Sequence, residues 1–351
     1  MILIRPVAPT DFECVLKIAK AAGIGMTSLP AHEEVLYRKI ERASNSFKQL
    51  PANDEQKCDN LYFFVAEDPD SKQIVGTTAI EAFVGLRRPF YSYKLATVTQ
   101  HSDALDIYSR HEVLQIVNDY TGASELGSLF LLPEYRRDRI GRLLSRVRFL
   151  FMAQFQQCFS NKVIAEIRGW HDGEGNSPFY NSLARHFFQI PFAQADWLCA
   201  TQGSKFISEL MPSYPIYVSL LPAEARECIG RAYVNSEPAK AMLEREGFCY
   251  NNYLDIFDGG PTLEAKISEI STIKNVKKAI ITQIGYSSES ARCMIATPDF
   301  SNFQATIGFV KTDNNESDNS DVEAVINATI DEQSANILHL SIGDAIIFSN
   351  A

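Results

Sequence analysis

With 351 residues and a net charge of -10, the chain is too acidic for a general nucleic-acid binder, whose surface must attract a phosphate backbone. Its 46% hydrophobic and 22% charged residues are those of an ordinary globular protein and exclude global disorder. Single cores stop growing near about 250 to 300 residues, so this length predicts one large unit and one smaller one.

The opening ILIRPV predicts a strand, and Asp11 starts a helix whose apolar positions Phe12, Val15, Leu16, Ile18 and Ala19 mostly follow helical spacing. GIGMTSLPAHEE then breaks the pattern before a second, charged helix over residues 32–48. NLYFFVAED (60–68) and QIVGTTAIEAFVGL (73–86), joined by the turn residues PDSK, read as an antiparallel hairpin. Further strands are expected over Tyr93–Thr99 and over residues 125–131.

The stretch SELGSLFLLPEYRRDRIGRLLSRVRFLFMAQF (124–155) runs from apolar strand through an arginine-rich loop into a long amphipathic helix. Six arginines, Arg136, Arg137, Arg139, Arg142, Arg146 and Arg148, fall within thirteen residues of an acidic chain. A helix start presents unpartnered N–H groups and the positive end of the peptide dipoles, so this junction suits an anion; the pyrophosphate of coenzyme A is one such ligand. KVIAEIRGW (162–170) supplies the next strand, and strand, helix, strand order predicts a parallel crossover.

Residues 171–230 are too long and too apolar for a bare connection, since they carry SPFYNSLARHFFQIPF and KFISELMPSYPIYVSLL, and they read as a helical insertion. EPAKAMLEREGF (237–248) predicts a helix ended by Gly247, and CYNNYLDIFDGGP a strand that closes the first unit at Gly259-Gly260-Pro261. From residue 262 short apolar runs alternate with polar turns, a β-rich pattern interrupted by the acidic TDNNESDNSD (312–321), which lacks the spacing of a calcium loop. Seven scattered cysteines without a C-x-x-C pair support neither a metal site nor a disulfide framework. There is no signal-peptide core and no run of about eighteen apolar residues, so a cytoplasmic protein off the membrane is expected.

The loop RRDRIG (136–141) is similar to the CoA-binding signature of the GNAT acyltransferase superfamily: Arg136 and Gly141 match, and Arg139 stands where the first glycine is expected. MTSLPAHEE (26–34), SELGSLFLLPEYR (124–136), GRLLSRVRFLFMAQF (141–155), IAEIRG (164–169), SPFYNSLARHFF (177–188), ISELMPSYPIY (207–217) and IFDGGPTLEA (256–265) together resemble the bacterial arginine N-succinyltransferase family over nearly the whole chain. The resemblance implies an α/β (α+β) GNAT-like fold: a mixed, mostly antiparallel central sheet flanked by helices in residues 1–261, with the insertion at 171–230 and a small β-rich unit at 262–351. It implies transfer of succinyl from succinyl-CoA to the α-amine of L-arginine by direct attack, with the thioester as substrate and no tightly bound cofactor. A homodimer or a heteromeric subunit is implied as well. Ornithine as acceptor, another acyl-CoA as donor, and a CoA-binding but catalytically weak subunit remain open alternatives.

By the same resemblance the loop joining the first two helices lines the acceptor pocket, and the splaying of strands 125–131 and 162–170 makes the slot for the pantetheine arm. Leu129 falls at the position whose backbone binds succinyl-CoA, and Arg136, Arg137 and Gly141 at the pyrophosphate loop. Tyr233 stands where the family has its proton-donating histidine, and none of His32, His101, His111, His171, His186 and His339 falls there. A phenol with a reference pKa of about 10 suits an acid better than a base. Chemically, a guanidinium calls for a carboxylate able to pair with it twice, and Glu125, Glu166, Asp255 and Asp258 are candidates, with Arg168 for the succinyl carboxylate. A structural ion pair or a solvated charge is the alternative for each.

Overall fold

Runs of β-branched and aromatic residues set the sheet in a computed structural model of the chain, which describes residues 1–23, 26–52, 57–172, 175–312 and 326–351. Residues 313–321 of the acidic insert lie outside the described residues. Strands β1 (Leu3–Pro6), β2 (Leu61–Glu67) and β3 (Ile74–Glu81) pair antiparallel, and Leu61 stands opposite Glu81. Helices α1 (Phe12–Ala22) and α2 (Glu33–Ser46) bury Val15, Leu16, Leu36 and Ile40 against Leu61, Phe63 and Val65 on one face. The alternate residues Tyr62 and Phe64 point to the other face.

The strand expected at Tyr93–Thr99 is longer, β4 (Ser92–Ser102), and turns into β5 (Ile107–Val117), which the sequence reading missed. β5 is mostly solvated near the sheet edge, so it lacks the apolar alternation that marks a strand. β6 (Ser124–Leu131) pairs with β3, and after α3 (Ile140–Gln154) the chain returns as β7 (Lys162–Glu166), parallel to β6 as expected.

Residues 171–230 carry short helices α4 (Pro178–Ser182), α5 (Ala184–Phe188), α6 (Phe192–Gln202), α7 (Lys205–Leu210) and α8 (Ala223–Cys228), with β8 (Ile216–Tyr217) pairing with β5. They share a core of Phe179, Tyr180, Phe188 and Ile207 with Tyr93 and Leu254 of the sheet and Phe257, two residues past Asp255. Helix α9 (Glu237–Arg245) and strand β9 (Cys249–Asp255) follow, then β10 (Pro261–Lys266) inserts between β7 and β9. The division expected between residues 261 and 262 thus falls at the head of a strand of this sheet.

After α10 (Ser271–Lys274), strands β11 (Lys277–Ile284), β12 (Ala291–Ala296), β13 (Ala305–Thr312), β14 (Ile326–Ile330) and β15 (Ala345–Asn350) pair in the cycle β12-β15-β11-β14-β13 and back to β12. This is a closed five-stranded barrel, with α11 (Glu332–Leu338) packed on β13 and one register pair, Ile4 with Ala305, joining it to β1. Closure removes the free edges a small sheet otherwise exposes.

Helix α3, expected to be amphipathic, is buried nearly all round. It lies between the sheet and the barrel, so both of its sides face protein rather than one facing water. Phe151 sits at the junction, 5.3 Å from Phe64 of the sheet and 5.1 Å from Phe303 of the β12–β13 connection, ring centroid to centroid. Phe151→Ala is therefore expected to cost about 3 to 5 kcal/mol, the usual range for a buried phenylalanine. Denaturant melting checks this, and the lowered midpoint should appear in sheet and barrel probes alike; a loss under about 1 kcal/mol would show that the two units do not share this core.

Candidate active site

β6 and β7 pair only at Ser124 with Val163 and at Glu125 with Ile164. Beyond that point β6 keeps only β3 as a partner and β7 only β10, so the parallel pair opens like a wedge. A bulge sits in β6 just past the divergence: Ala79 faces Gly127 and Thr77 faces Phe130, which leaves Ser128 and Leu129 together against Thr78. Ser128 has φ 54, a left-handed conformation that a serine adopts only when its surroundings hold it there. Three hydrogen bonds do so. The Ser128 carbonyl accepts from Thr77 Oγ1 at 2.8 Å, its N–H donates to Ser28 Oγ at 2.9 Å, and its hydroxyl donates to the Ser28 carbonyl at 2.6 Å. The segment after α1 is thereby fastened to the bulge, and Leu129, half-buried against the α3 core, is the next residue along.

Past the end of β6 the chain makes a 3-10 turn, Pro133–Tyr135, and reaches α3 through consecutive left-handed residues, Asp138 (φ 53) and Arg139 (φ 66). Arg139 thus holds, without glycine, a left-handed geometry that glycine would take freely. The first intrahelical bond is Leu143 N–H to the Arg139 carbonyl, which leaves the N–H groups of Gly141 and Arg142 directed out of the helix start. Arg136, Arg137 and Arg139 are exposed around this turn. Two of the six arginines have internal roles instead. Arg146 pairs with Glu246 at 2.9 Å, and the buried Arg148 donates to the carbonyl and hydroxyl of Ser145, with burial drawing its pKa down to about 9.

On the α1/α2 face, pairing register brings acids together. Glu81 opposes Glu125, Glu125 opposes Ile164, Glu166 lies two residues on and opposes Thr262, Thr262 opposes Tyr253, and Asp255 follows two residues later. With a side-chain period of two, all four carboxylates project from one face. Asp258 closes the group from the β9–β10 turn, buried, accepting from Gly169 N–H at 2.7 Å and Gly260 N–H at 2.8 Å. A Cβ on Gly169 would meet Asp258 Oδ1 at 2.5 Å, so only glycine lets the strand come this close. Burial, then the mutual repulsion of Asp255, Glu125 and Asp258, holds Glu166 well above the usual carboxylate range; burial raises Asp258 likewise. Lys39 stands over the group, its pKa lowered by burial and by Arg42 although Glu81 and Glu125 favour its charge, with Nζ 2.6 Å from the Ser28 carbonyl. Helix α6 leans across: Asp196 accepts from Thr27 Oγ1, Trp197 meets His32 edge to face at 6.3 Å, and burial beside Asp255 pushes the Cys199 thiol up to about 12.

Tyr233 lies at the wedge. Ile167 N–H bonds to Pro261 on the β10 side of the β7 continuation, and successive N–H groups alternate sides, so the bonds Trp170 N–H to Arg231 and Tyr233 N–H to Arg168 lie on the side β6 has left. The Arg168 guanidinium is 5.2 Å from the Tyr233 ring centre. His171, which sequence reasoning passed over, stacks on the same ring with centroids 3.8 Å apart and planes at 27°. Its only sequence signal is its place just beyond the strand KVIAEIRGW. The structure therefore groups Leu129, Tyr233, Arg168 and the carboxylates about the wedge, while Arg136, Arg137 and Gly141 form a separate cluster at the start of α3. A depression of about 450 Å³ along α2, lined by Arg38, Arg42 and Asp59, contains none of these residues.

The sequence profile of a family described as "Arginine N-succinyltransferase beta subunit" matches residues 2–272. Arginine N-succinyltransferase of Yersinia enterocolitica is 43% identical over 309 residues, covering 88% of each chain. The protein of the same name from Escherichia fergusonii is 42% identical over 318 residues, covering 89% of this chain and 90% of its own. Among solved structures, arginine/ornithine succinyltransferase subunit AI from Pseudomonas aeruginosa superposes with a TM-score of 0.86 at 32% identity, over 100% of this chain and 98% of its own.

The acid cluster gives a pH test. Burial, then Glu81, raises the Glu125 pKa to about 7 from 4.5, and Asp255 adds to this while Lys39 opposes it. A folded state that holds its proton more tightly is stabilised fully below about pH 4.5 and loses that contribution as pH rises through about 7. Glu125→Gln keeps the neutral shape, so its melting temperature should gain on the parent's as pH goes from about 5 to about 8. A difference that stays constant over thermal melts in this range would mark Glu125 as an ordinary solvated carboxylate.

Proposed function

The chain belongs to the arginine N-succinyltransferase family, and we propose that it transfers the succinyl group of succinyl-CoA to the α-amine of L-arginine. The observation that carries this reading is the wedge between β6 and β7, open between a carboxylate group suited to a guanidinium and a helix start suited to a pyrophosphate. Thioester aminolysis needs a neutral amine, a polarised carbonyl and a proton for the departing thiolate. The N–H at Leu129, re-aimed by the bulge, polarises the thioester and pairs with the pantetheine arm. Arg136, Arg137 and the N–H groups at Gly141 hold the pyrophosphate. The Tyr233 hydroxyl delivers the proton to sulfur, in the place of the family histidine. Glu125, Glu166, Asp255 and Asp258 receive the guanidinium, whose charge lets raised carboxylates ionise, and Arg168 pairs with the succinyl carboxylate. The amine attacks directly, and no tightly bound cofactor takes part.

The larger unit ends between Asn275 and Lys277, where the barrel begins, and the protein works in the cytoplasm as a homodimer or as one subunit of a heteromer. Among the described residues no helix is long and apolar enough to cross a membrane. Ornithine is a second acceptor to test, because the Pseudomonas aeruginosa neighbour is named for both amino acids. A CoA-binding subunit that depends on a partner for turnover is the second reading, favoured by Tyr233 at the histidine position and by the subunit names of the family and that neighbour. Thiol release by the purified chain with succinyl-CoA and a panel of amines decides. Turnover with arginine supports the proposal; binding by calorimetry without turnover supports the second reading.

Two substitutions test the parts. A Cβ at Gly141 would meet only Leu131 Cδ2, at 3.8 Å, so Gly141→Glu should fold, yet it places bulk and negative charge where phosphates dock. Its succinyl-CoA affinity should fall by more than about tenfold, and an unchanged affinity would move the anion site elsewhere. Tyr233→Phe removes one hydroxyl and should lower turnover by roughly 10² to 10⁴ with succinyl-CoA affinity kept. Parent-like turnover would leave Tyr233 a packing residue.

A further inference from the structure

Tyr233 supplies one proton, but the reaction must also remove one, and a phenol is a poor base at neutral pH. We propose that His171 is the general base of the transfer, taking the proton of the attacking amine while Tyr233 protonates the leaving sulfur. The assignment rests on the acyl-transfer reading above and on three features of the wedge. First, the backbone bridge between residues 168–170 and 231–233 holds Tyr233 and ends one residue before His171, so their 3.8 Å stack is anchored by paired backbone on both sides. Second, His171 Nδ1 lies 3.1 Å from the Gly169 carbonyl, which can only accept. Nδ1 therefore carries the hydrogen, and Nε2 is left with its lone pair. Third, His171 is only 9% exposed, and burial lowers its pKa below the usual 6.5, a shift in favour of the neutral imidazole. Among the described residues the charged groups acting on it are Arg168, which lowers its pKa further, and Asp172, which raises it; the facing segment presents the Tyr233 phenol.

The protons balance. The neutral amine nitrogen bonds to the thioester carbon, and its N–H⁺ passes a proton to His171 Nε2 as the C–S bond breaks. Sulfur leaves with the electron pair and takes the Tyr233 hydroxyl proton, giving amide and free thiol. The imidazolium then returns its proton to the tyrosinate through one solvent water, which restores both groups.

The test uses the purified full-length chain with succinyl-CoA and arginine. His171→Ala should lower kcat by roughly 10² to 10⁴, leave succinyl-CoA affinity by calorimetry near the parent's, and recover turnover when free imidazole is added. The parent's kcat/KM should fall on an acidic limb below pH 6.5, and that limb should vanish in the mutant. His171→Asn keeps a donor for the Gly169 carbonyl but lacks Nε2, so it should fold and show the same loss even if the alanine variant is unstable. Parent-like turnover in either variant overturns the assignment. So does a loss that imidazole does not rescue while the acidic limb persists, which would make the ring a support for Tyr233. A parent without turnover on any amine overturns the acyl-transfer reading itself, whereas the other two results leave that reading standing.

Discussion

The left-handed turn of Ser128 inside β6 is the constraint on which the site depends. A regular strand would continue its ladder beside β7 and close the wedge; the extra residue bends β6 away just where parallel pairing stops. Holding a serine there costs on the order of 1 to 3 kcal/mol, and the Thr77 and Ser28 contacts offset it. Those same contacts draw the segment after α1 onto the sheet, so one local distortion sets both the divergence of β6 from β7 and the position of that segment. Strain at this point accompanies the parting of the central parallel pair.

A second tension is electrostatic. Acids from β3, β6, β7, β9 and a tight turn share one face, and among the described residues the cations beside them are few: Lys39 above, Arg42 paired with Glu81, and Arg168 near Asp258. Burial and like charge together raise several of these carboxyls above the usual carboxylate range, Glu125 to about 7 and Glu166 and Asp258 in the same direction. Such an arrangement is poor for folding stability, and chemically it suits a cation, which would bring the countercharge that the protein omits. The start of α3 shows the opposite balance, with exposed Arg136, Arg137 and Arg139 around it.

Local features were legible in the sequence: the 60–86 hairpin, the arginine loop, the parallel return at 162 and the helical character of 171–230 all rest on periodicity and turn chemistry within a few residues. What escaped was set by distant partners. β5 is a strand because β4 lies beside it, not because its own residues alternate. β10 belongs to the first sheet because β7 and β9 leave a gap for it, although Gly259-Gly260-Pro261 reads as a boundary. α3 is buried all round because the barrel covers its outer side. Glu81, Glu125, Glu166 and Asp255 share a face only through cross-strand register, and His171 meets Tyr233 across 62 positions of chain through the bridge at Gly169.

The barrel's contact with the arginine loop bears on how the protein is made. Arg139 donates to the Ala351 carbonyl across 212 positions, Arg146 to Asn350 across 204, and Arg292 of β12 reaches the Asp138 carbonyl at 3.3 Å. A ribosome delivers α3 long before β15, so during synthesis this helix exists with its outer side bare and its entry turn unbraced. Contacts of such sequence separation form slowly. The nascent chain thus passes through an interval in which the helix that buries most residues, among those described, is complete but uncovered, the kind of species that chaperones engage and that aggregates when they do not.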